Sequence, residues 1–437
     1  MKLAVFRNNL KLGTLDIQAS ESFFGFAYDN DYLSTPEAYP LSLSLPLTNI
    51  RYTSNQAQPY FEGLLPEGEA RDAISRRLGI SRTSSTKLLH ALGRDCAGDI
   101  SIIDEDENQS PDTLIANNKN HTYDLLENGL TAIAQSPRIE IPRLQENTRL
   151  SLAGGQEKIA LYHKNGSAIE EDWYIPTHGA PSTHIIKPGL LEAHYPFITL
   201  NEFLCLRAAS ACNIHTVNVD IRYPGTPVLI IQRYDRKISS QDVNGFNVIT
   251  RAHQEDLCQA NGIISDLKYE HDGGPGYKQI RDMLARYARK PFEDIEMLVK
   301  WGLFNYMIGN CDAHAKNLSL LHNSDGTVSI APVYDLISTS VYDGIFGSKL
   351  SRGMGMRIGQ HENIDKINEA DIRIFADNVR VRLSQVKLIG SEIISSIPSA
   401  FDAAVYEADK NGFSNADEMA CRIIKECENR AKIILSA

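Results

Sequence analysis

The order of strand and helix patterns along the chain is the feature that most constrains its fold. Short apolar segments with strand character follow one another in the middle of the chain, at 150–152, 159–162, 173–176, 183–187, 217–221 and 228–232. One helical pattern interrupts them after Asn201, which we predict to be its N-cap. Beyond residue 250 the pattern becomes helical, most clearly over 291–309. The sequence therefore predicts an α+β protein in which a sheet carries a single important helix.

The first hundred residues show a separate pattern that is typical of a small α+β unit. Strands are predicted at 2–6, 41–45 and 100–103, and helices at 67–78 and 86–92. The polar stretch at 104–121 is predicted to be a linker. Because 437 residues are too many for one compact core, we expect three units, namely 1–105, 106–250 and a helical unit at 251–437.

Composition argues against several classes of protein. The formal net charge of −11 disfavours direct binding of nucleic acid, which usually needs a basic face. The seven cysteines are scattered without CxxC spacing, so neither a disulfide framework nor a zinc site is predicted. The first residues do not resemble a secretory signal, and no run approaches the roughly 20 apolar residues of a membrane helix. We expect a cytoplasmic protein that does not contact a membrane.

The strongest local signal follows the helix predicted at 291–309. Asp312 and Asn317 stand just before a predicted hairpin with an Asp-Gly turn, and Asp335 stands just after it. Since a hairpin returns the chain beside its start, Asp335 should lie near Asp312 and Asn317. Phosphoryl transfer from ATP needs such a group, in which one carboxylate takes the proton of the attacking hydroxyl while an asparagine and a second carboxylate hold Mg²⁺.

The spacing of these residues is informative only in its context. In protein kinases the catalytic aspartate precedes the metal-binding asparagine by five residues, as Asp312 precedes Asn317. Taken alone, this spacing is common, and an isolated Asp312 would more often be a loop or capping residue. The His-Arg-Asp and Asp-Phe-Gly motifs are both absent. The helix, the hairpin and the second carboxylate together favour a kinase-like site.

A kinase also needs a strand lysine for the ATP phosphates and a helix glutamate that holds this lysine. Lys187 ends the strand predicted at 183–187, and Glu202 begins the next helix 15 residues later. The ordinary alternatives are a charge at a strand end for Lys187 and a first-turn acid for Glu202. Upstream, Gly154 and Gly155 lie between two predicted strands. Paired glycines cradle phosphate in some proteins and form ordinary turns in others.

A series of short segments extends over nearly the whole chain. These are 40–47 (PLSLSLPL), 61–67 (FEGLLPE), 92–98 (LGRDCAG), 151–158 (SLAGGQEK), 183–187 (THIIK), 233–236 (RYDR), 272–276 (DGGPG), 312–317 (DAHAKN) and 334–335 (YD). In this order they resemble the HipA-type serine/threonine kinase toxins of bacterial toxin–antitoxin modules. The resemblance implies a two-lobed protein-kinase-like fold, with a mixed α/β N-terminal lobe, an added N-terminal subdomain and an all-α C-terminal lobe.

The resemblance also implies a role for each residue that matches the family's motifs. Asp312 would be the catalytic base, and Asn317 and Asp335 would bind Mg²⁺. Ser151 matches the family's autophosphorylated serine, whose modification inactivates the kinase. The ATP-binding residues would be Ala153, Gly154, Gly155, Gln156, Glu157, Lys158, Lys187, Glu202, Gln232, Arg233, Tyr234, His314, Ala315, Lys316 and Tyr334. Gln232 and Tyr234 replace the glutamate and phenylalanine common at the hinge, where adenine is read largely through backbone groups, so ATP binding is expected to persist.

The implied partners are a helix-turn-helix antitoxin, which binds operator DNA and holds the kinase inactive, and a protein substrate such as an aminoacyl-tRNA synthetase, glutamyl-tRNA synthetase being the best-known case. Two other classes stay open. One is a catalytically weak scaffold that acts as a corepressor by binding its DNA-binding partner, and the other is a small-molecule kinase. The complete set of Lys187, Asp312, Asn317 and Asp335 favours an active kinase over a scaffold. The likeness of the first hundred residues argues against a small-molecule kinase.

Overall fold

The structure is a computed structural model that describes residues 2–17, 24–107, 110–111, 122–148, 152–190, 194–241, 245–342 and 350–437. Within these residues, an N-terminal sheet with its helices is followed by a six-stranded sheet and then by a helical lobe that contains a small sheet. The predicted α+β class is therefore confirmed. The linker predicted at 104–121 lies largely outside the described residues.

The N-terminal group is an antiparallel sheet in the order β3-β2-β1-β4, formed by β1 (Lys2–Arg7), β2 (Leu10–Ile17), β3 (Phe24–Tyr28) and β4 (Ile100–Asp104). Its helices are α1 (Asn30–Leu33), α2 (Ser54–Gly63), α3 (Gly68–Leu78) and α4 (Ser85–Leu92). The strands predicted at 2–6 and 100–103 and both predicted helices are confirmed. These elements enclose a core of their own, in which Phe26, Tyr60 and Phe61 are fully buried.

The strand predicted at 41–45 is wrong, since this segment forms a tight turn closed by a bridge between Ser42 and Leu45. Leu41 and Leu45 are both buried in the N-terminal core. The Ser44 hydroxyl donates to the main-chain oxygen of Gln259 at 2.7 Å. The alternation of leucine and serine therefore reflects a turn that packs on one side and forms hydrogen bonds to the C-terminal lobe on the other.

The middle of the chain forms an antiparallel sheet in the order β5-β7-β6-β8-β10-β9. Its strands are β5 (Tyr123–Leu125), β6 (Ile159–His163), β7 (Trp173–Pro176), β8 (His184–Pro188), β9 (Val219–Arg222) and β10 (Val228–Gln232). Two helices, α5 (Gly129–Gln135) and α6 (Pro137–Thr148), precede β6, and a separate hairpin of β11 (Arg236–Gln241) and β12 (Asn247–Arg251) follows β10. The strands predicted at 159–162, 173–176, 183–187, 217–221 and 228–232 are present, each shifted by no more than two residues. The strand predicted at 150–152 lies, apart from Leu152, outside the described residues.

The helix predicted within this group is α7 (Ile198–Ala211), which begins three residues before the predicted start at Asn201. The prediction of a single helix is wrong, since α5 and α6 also lie between strands of this sheet. The predicted N-cap is therefore wrong, and Phe197, in the left-handed backbone region with φ 63°, takes that position. The buried amide of Asn201 instead donates to the main-chain oxygen of Ser338 and accepts from its N–H, both at 2.9 Å. Glu202 consequently lies in the second turn of α7 rather than at a helix start.

The C-terminal lobe is helical, as expected, except for a three-stranded sheet. Its helices are α8 (Leu257–Asn261), α9 (Tyr277–Tyr287), α10 (Pro291–Ile308), α11 (Glu369–Val379), α12 (Leu383–Lys410) and α13 (Ala416–Ser436). The predicted hairpin is confirmed as β14 (Ser319–His322) and β15 (Val328–Ile330), and β14 also pairs with β13 (Gln254–Asp256). The helix predicted at 291–309 is confirmed, with Pro291 at its start and Gly309 as a left-handed C-cap.

Among the described residues, α12 is the one helix long and apolar enough to cross a membrane by length and composition. This helix packs against α7 and α13. Its apolar residues, including Ile393, Ile397 and Phe401, lie in the buried core of the C-terminal lobe. The buried face of α12 therefore belongs to the core of the C-terminal lobe, whereas Leu388 and Tyr406 of the same helix are exposed.

A buried ionic cluster joins the N-terminal unit to the segment that follows β10. Asp95 Oδ1 lies 2.8 Å from Arg236 and 3.2 Å from Arg251, and Asp95 Oδ2 lies 3.4 Å from Arg233. Asp235 adds a second carboxylate, 2.8 Å from Arg233. Although burial opposes ionisation, the three guanidinium groups hold the pKa of Asp95 well below its usual range. The cluster is therefore fully ionised at neutral pH and depends on Asp95 for its charge balance.

We predict that Asp95→Ala lowers the free energy of unfolding by about 3–5 kcal/mol, because it leaves three buried guanidinium groups with Asp235 as the carboxylate of the cluster. Chemical denaturation followed by circular dichroism measures the change. Asp31→Ala, which removes an exposed carboxylate of the same unit, should change stability by no more than about 0.5 kcal/mol. A loss below about 1 kcal/mol for Asp95→Ala would show that the cluster does not stabilise the fold.

Candidate active site

A cleft of about 1230 Å³ lies where the six-stranded sheet, the C-terminal lobe and the N-terminal unit meet. Asp312, Asn317 and Asp335 all line it. The cleft is also lined by the predicted ATP-binding residues Ala153, Gly154, Gly155, Gln156, Glu157, Lys158, Lys187, Gln232, Arg233, Tyr234, His314, Lys316 and Tyr334. Of the residues predicted to bind ATP, Glu202 and Ala315 do not line it. Ser151 lies outside the described residues.

Lys187, on β8, holds the two sides of the cleft together. Its Nζ atom lies 2.7 Å from Oε1 of Glu202 on α7 and also contacts Oδ1 of Asp335, which follows the hairpin. The side chains of Lys187 and Glu202 are buried, whereas that of Asp335 is 31% exposed. A ligand in the cleft can therefore reach Asp335, while Glu202 acts on the cleft only through Lys187.

The charges of this group oppose the effect of burial on the pKa of Lys187 and of Asp335. Burial lowers the pKa of Lys187, but Asp335 and Glu202 raise it above its usual value. Burial raises the pKa of Asp335, but Lys187 and Lys158 lower it well below its usual range. Burial and the negative charge of Asp335 raise the pKa of Glu202 to about 7, although Lys187 lowers it. If Asp335 bound a cation instead of Lys187, Glu202 would be the carboxylate that remains paired with Lys187.

The segment that carries Asp335 has a strained backbone. Asp335 has a φ of 53°, in the left-handed region that few residues other than glycine adopt, although aspartate is enriched there. The neighbouring Tyr334 donates its hydroxyl to the main-chain oxygen of Lys316 at 2.7 Å. Because Lys316 precedes Asn317, this hydrogen bond fixes the two predicted Mg²⁺ ligands relative to each other. Strain of this kind persists only where surrounding contacts hold it, often at functional sites.

Asn317 and Asp335 fit the requirements of Mg²⁺. The side-chain amide of Asn317 donates to the main-chain oxygen of Asp312 at 3.2 Å, so its oxygen is the atom that a cation would bind. In the described part of the chain, no group of three or more His, Cys, Asp or Glu side chains has an arrangement that could hold a metal ion by itself. Mg²⁺ in phosphoryl-transfer sites needs only one or two protein ligands, because phosphates and water supply the others. The Lys187 ammonium beside Asp335 also shows that this position favours positive charge.

Asp312 lies in the loop after α10 and is exposed at the mouth of the cleft. Its Oδ1 atom accepts a hydrogen bond from the Tyr269 hydroxyl at 2.7 Å. Its main-chain N–H donates to Oδ1 of Asn310 at 3.1 Å, and the Asn310 amide is bonded to Asn305 of α10 at 2.7 Å. The main chain at Asp312 is thus tied to α10, while the carboxylate is held by Tyr269 and is exposed to an incoming hydroxyl group.

In the glycine loop at 152–158, the side chain of Lys158 forms a hydrogen bond to the main chain of the same loop. Nζ of Lys158 donates to the main-chain oxygen of Ala153 at 2.8 Å. Gly154 has a φ of 108°, and a Cβ atom there would lie 2.5 Å from Lys158 Nζ, whereas a Cβ at Gly155 would meet no atom within 4 Å. Gly154 is therefore required by its backbone conformation, and a side chain there would also displace the Lys158 ammonium. Gly155 leaves the backbone open to a ligand. Burial and the charge of Lys187 lower the pKa of Lys158 to about 8.

The predicted hinge residues have different roles in the structure. The guanidinium group of Arg233 binds Asp235 and the N-terminal unit, so this side chain is directed away from a nucleotide. Gln232 is exposed at the end of β10. The ring of Tyr234 stacks on that of Tyr334 with centroids 6.3 Å apart. The aromatic pair, rather than the arginine, supplies the flat apolar surface of this end of the cleft.

Three catalytic-loop residues predicted to line the nucleotide site are more buried than expected. Ala315 is fully buried. The Lys316 ammonium lies 2.9 Å from Asp256 and 3.2 Å from Glu67, so it is held in ion pairs. Burial lowers the pKa of His314 to about 4, so His314 is neutral at physiological pH and brings no charge to phosphates.

The sequence does not single out Glu67, Asp256, Lys268 and Tyr269, which the structure brings to the same cleft. Glu67 binds Lys316 and Lys268, and Tyr269 binds Asp312. Glu67 ends the segment 61–67, which belongs to the series of short segments that resemble the HipA family. This resemblance is the one sequence feature that points to Glu67 as a functional residue. Its partners lie some 200 residues further along the chain, which no local pattern indicates.

Comparisons with known proteins agree with this architecture. The profile of the HipA-like C-terminal domain matches residues 150–401, and that of the HipA N-terminal domain matches residues 3–103. The protein Y4mE of Sinorhizobium fredii is 34% identical over 378 residues, which are 86% of this chain and 85% of that protein. The serine/threonine-protein kinase toxin HipA of Shewanella oneidensis is 30% identical over 360 residues, which are 78% of this chain and 76% of that protein.

A solved structure shows the same fold. The complex of the Shewanella oneidensis toxin–antitoxin proteins HipA and HipB with operator DNA contains a chain that matches with a TM-score of 0.74 and 24% identity, over 100% of this chain and 99% of that chain. The fold and the cleft define an α+β kinase-like protein. The chain belongs to the HipA family of serine/threonine kinase toxins.

We predict that nucleotide binding depends on pH through Lys158. Phosphates favour the charged lysine, whose pKa is about 8 in the free protein. Above this pKa, affinity should therefore fall by up to about tenfold per pH unit. Fluorescence titration with an ATP analogue between about pH 7 and about pH 9 measures the effect. Lys158→Arg stays charged over this range and should give a much flatter profile, so equal profiles would contradict the role of Lys158.

Proposed function

We propose that this chain is an ATP- and Mg²⁺-dependent serine/threonine protein kinase that acts in the cytoplasm as the toxin of a toxin–antitoxin pair. The observation that carries the proposal is the ion-paired Lys187, which faces the same cleft as Asp312, Asn317 and Asp335. These four residues supply the functional groups that phosphoryl transfer needs. Membership of the HipA family supports the same activity.

In this proposal each side chain has one task. Lys187 holds the α- and β-phosphates of ATP, and Glu202 keeps the ammonium of Lys187 in place. Asp312 takes the proton of a serine or threonine hydroxyl group. At the same time the oxygen of that hydroxyl forms a bond to the γ-phosphorus of ATP, and the bond between the γ-phosphorus and the oxygen that leaves with ADP breaks. Mg²⁺, held by Asn317 and Asp335, would neutralise the charge of the phosphates when bound.

The shape of the cleft supports a protein as the phosphate acceptor. Its volume of about 1230 Å³ exceeds the roughly 300–1,000 Å³ of most small-ligand pockets. Asp312 lies at its exposed mouth. A segment of a folded protein can therefore present a hydroxyl group to Asp312 while a nucleotide occupies the interior of the cleft.

Autophosphorylation at Ser151 fits the charge of the loop that follows it. Phosphate adds close to two negative charges and strong hydrogen-bond acceptors. Lys158 and the backbone around Gly154 lie a few residues away on the same loop. A phosphate on Ser151 would compete for the groups that this loop offers to ATP, which supports inactivation of the kinase by its own reaction.

The remaining parts of the proposal concern partners. A helix-turn-helix antitoxin of the HipB type would hold the kinase inactive and carry it to operator DNA, where the pair acts as a corepressor. The HipA–HipB–operator DNA complex with the same fold supports this assembly. The net charge of −11 fits contact with DNA through a basic partner. The protein substrate would be a translation component such as glutamyl-tRNA synthetase or another aminoacyl-tRNA synthetase.

We predict that the purified protein, incubated with radiolabelled ATP and Mg²⁺, labels Ser151 and an added aminoacyl-tRNA synthetase. Asp312→Ala should fold normally and reduce labelling by about 10²–10⁴-fold, because it removes the group that takes the hydroxyl proton. The same variant should no longer arrest growth when it is expressed. Label location is measured by mass spectrometry.

Asp402→Ala, which removes an exposed carboxylate of α12 in the same lobe but outside the cleft, is the matched control and should label as the unaltered protein does. Equal labelling or equal growth arrest by Asp312→Ala would contradict the proposed base. No label on any protein, together with binding of the antitoxin, would indicate the scaffold function. Label on small molecules alone would indicate a small-molecule kinase.

A further inference from the structure

We propose that the N-terminal unit completes the active site, with Glu67 as a positioning residue that fixes both the metal-binding end of the catalytic loop and the glycine loop. This inference rests on the nucleotide and Mg²⁺ site of the proposed function. It adds a residue that lies outside both kinase lobes and that the motifs of a kinase do not include.

The side chain of Glu67 reaches the C-terminal lobe at two points. Glu67 stands at the N-cap position of α3 in the N-terminal unit. Its Oε1 atom lies 3.2 Å from Nζ of Lys316, and its Oε2 atom accepts from Nζ of Lys268 at 3.2 Å. Burial raises the pKa of Glu67, but the two lysines lower it below its usual value. The carboxylate is therefore ionised when it binds them.

The main chain of the same residue binds the glycine loop. The N–H of Glu67 donates to the main-chain oxygen of Gly154 at 3.1 Å. Pro66 forms a parallel bridge with Gly154. Glu67 therefore contacts the loop proposed to hold the phosphates and the loop proposed to hold the metal at the same time.

A direct path leads from Glu67 to the proposed Mg²⁺ ligands. The Lys316 ammonium is buried and is also held by Asp256 at 2.9 Å. The main-chain oxygen of Lys316 accepts the Tyr334 hydroxyl at 2.7 Å. Asn317 follows Lys316, and Asp335 follows Tyr334. A shift of Lys316 would therefore displace both ligands of the cation.

A purely structural role is the competing explanation. Ion pairs between Glu67 and the two lysines would then only dock the N-terminal unit onto the C-terminal lobe. In that case a change at Glu67 lowers stability but leaves the affinity for metal and nucleotide unaltered. If Glu67 positions the site, a change at Glu67 lowers the affinity for the metal even in protein that is still folded. The change in metal affinity can then be distinguished from any change in stability.

The test uses the full-length chain with Mn²⁺ as the probe and AMP-PNP, a non-hydrolysable ATP analogue. Bound Mn²⁺ is measured by electron paramagnetic resonance, with thermal unfolding recorded in parallel. Glu67→Gln should weaken Mn²⁺ binding in the presence of AMP-PNP by about fivefold or more, the scale of coupling between linked sites. Glu37→Gln, an exposed residue of the same unit outside the cleft, should bind as the unaltered chain does.

Unchanged Mn²⁺ affinity in folded Glu67→Gln protein, with or without a lower melting temperature, would overturn the proposal. If Glu67→Gln does not fold, Glu67→Asp carries the same test, because it keeps the charge and withdraws the carboxylate by one methylene group. Weaker Mn²⁺ binding by Glu67→Asp supports the proposal, and a Mn²⁺ affinity equal to that of the unaltered chain overturns it. Failure of the unaltered chain to bind Mn²⁺ with AMP-PNP would instead contradict the proposed nucleotide site itself, and this inference with it.

Discussion

A lysine ammonium buried beside a sheet is unstable unless carboxylates surround it, and this requirement organises the centre of the molecule. Lys187 obtains one carboxylate from α7 and a second from the segment after the hairpin. The two sources belong to different lobes. The ion pairs of Lys187 therefore help to fix the position of one lobe against the other, and the cleft lies where the two carboxylates meet this lysine.

Other contacts hold the same arrangement. The amide of Asn201 forms two hydrogen bonds to the main chain of Ser338, three residues beyond Asp335. The N–H of Val217 donates to the oxygen of Val333 at 3.0 Å. These bonds fix the strained backbone at Asp335 from both sides. The N-terminal unit adds the Asp95 cluster and the contacts of Glu67, so three parts of the chain converge on one site.

Features with local signals could be predicted from the sequence. Helix α10 begins at Pro291 and ends at Gly309, and the Asp-Gly turn defines the hairpin, because each signal lies within the element that it specifies. The likeness of Lys187, Asp312, Asn317 and Asp335 to kinase motifs depended on order and spacing, and the structure brings these four residues to one cleft.

Features that depend on distant partners could not be predicted. Arg233 resembles a hinge residue in the sequence, but its guanidinium group binds Asp95, 138 residues away. The segment at 41–45 has the period of a strand, yet its serines form hydrogen bonds to the C-terminal lobe. Asn201 has the character of an N-cap, yet its partner is Ser338. In each case a tertiary contact overrides a correct local preference.

We propose that Lys187 exchanges Asp335 for a phosphate oxygen when nucleotide binds, while it keeps its ion pair with Glu202. A crystal structure with AMP-PNP and Mg²⁺ tests this most directly. The account predicts a Mg²⁺ ion about 2.0–2.1 Å from side-chain oxygens of Asn317 and Asp335, with Lys187 bound to both Glu202 and a phosphate oxygen. A nucleotide whose phosphates lie away from Lys187, or a Mg²⁺ ion bound by neither Asn317 nor Asp335, would contradict it.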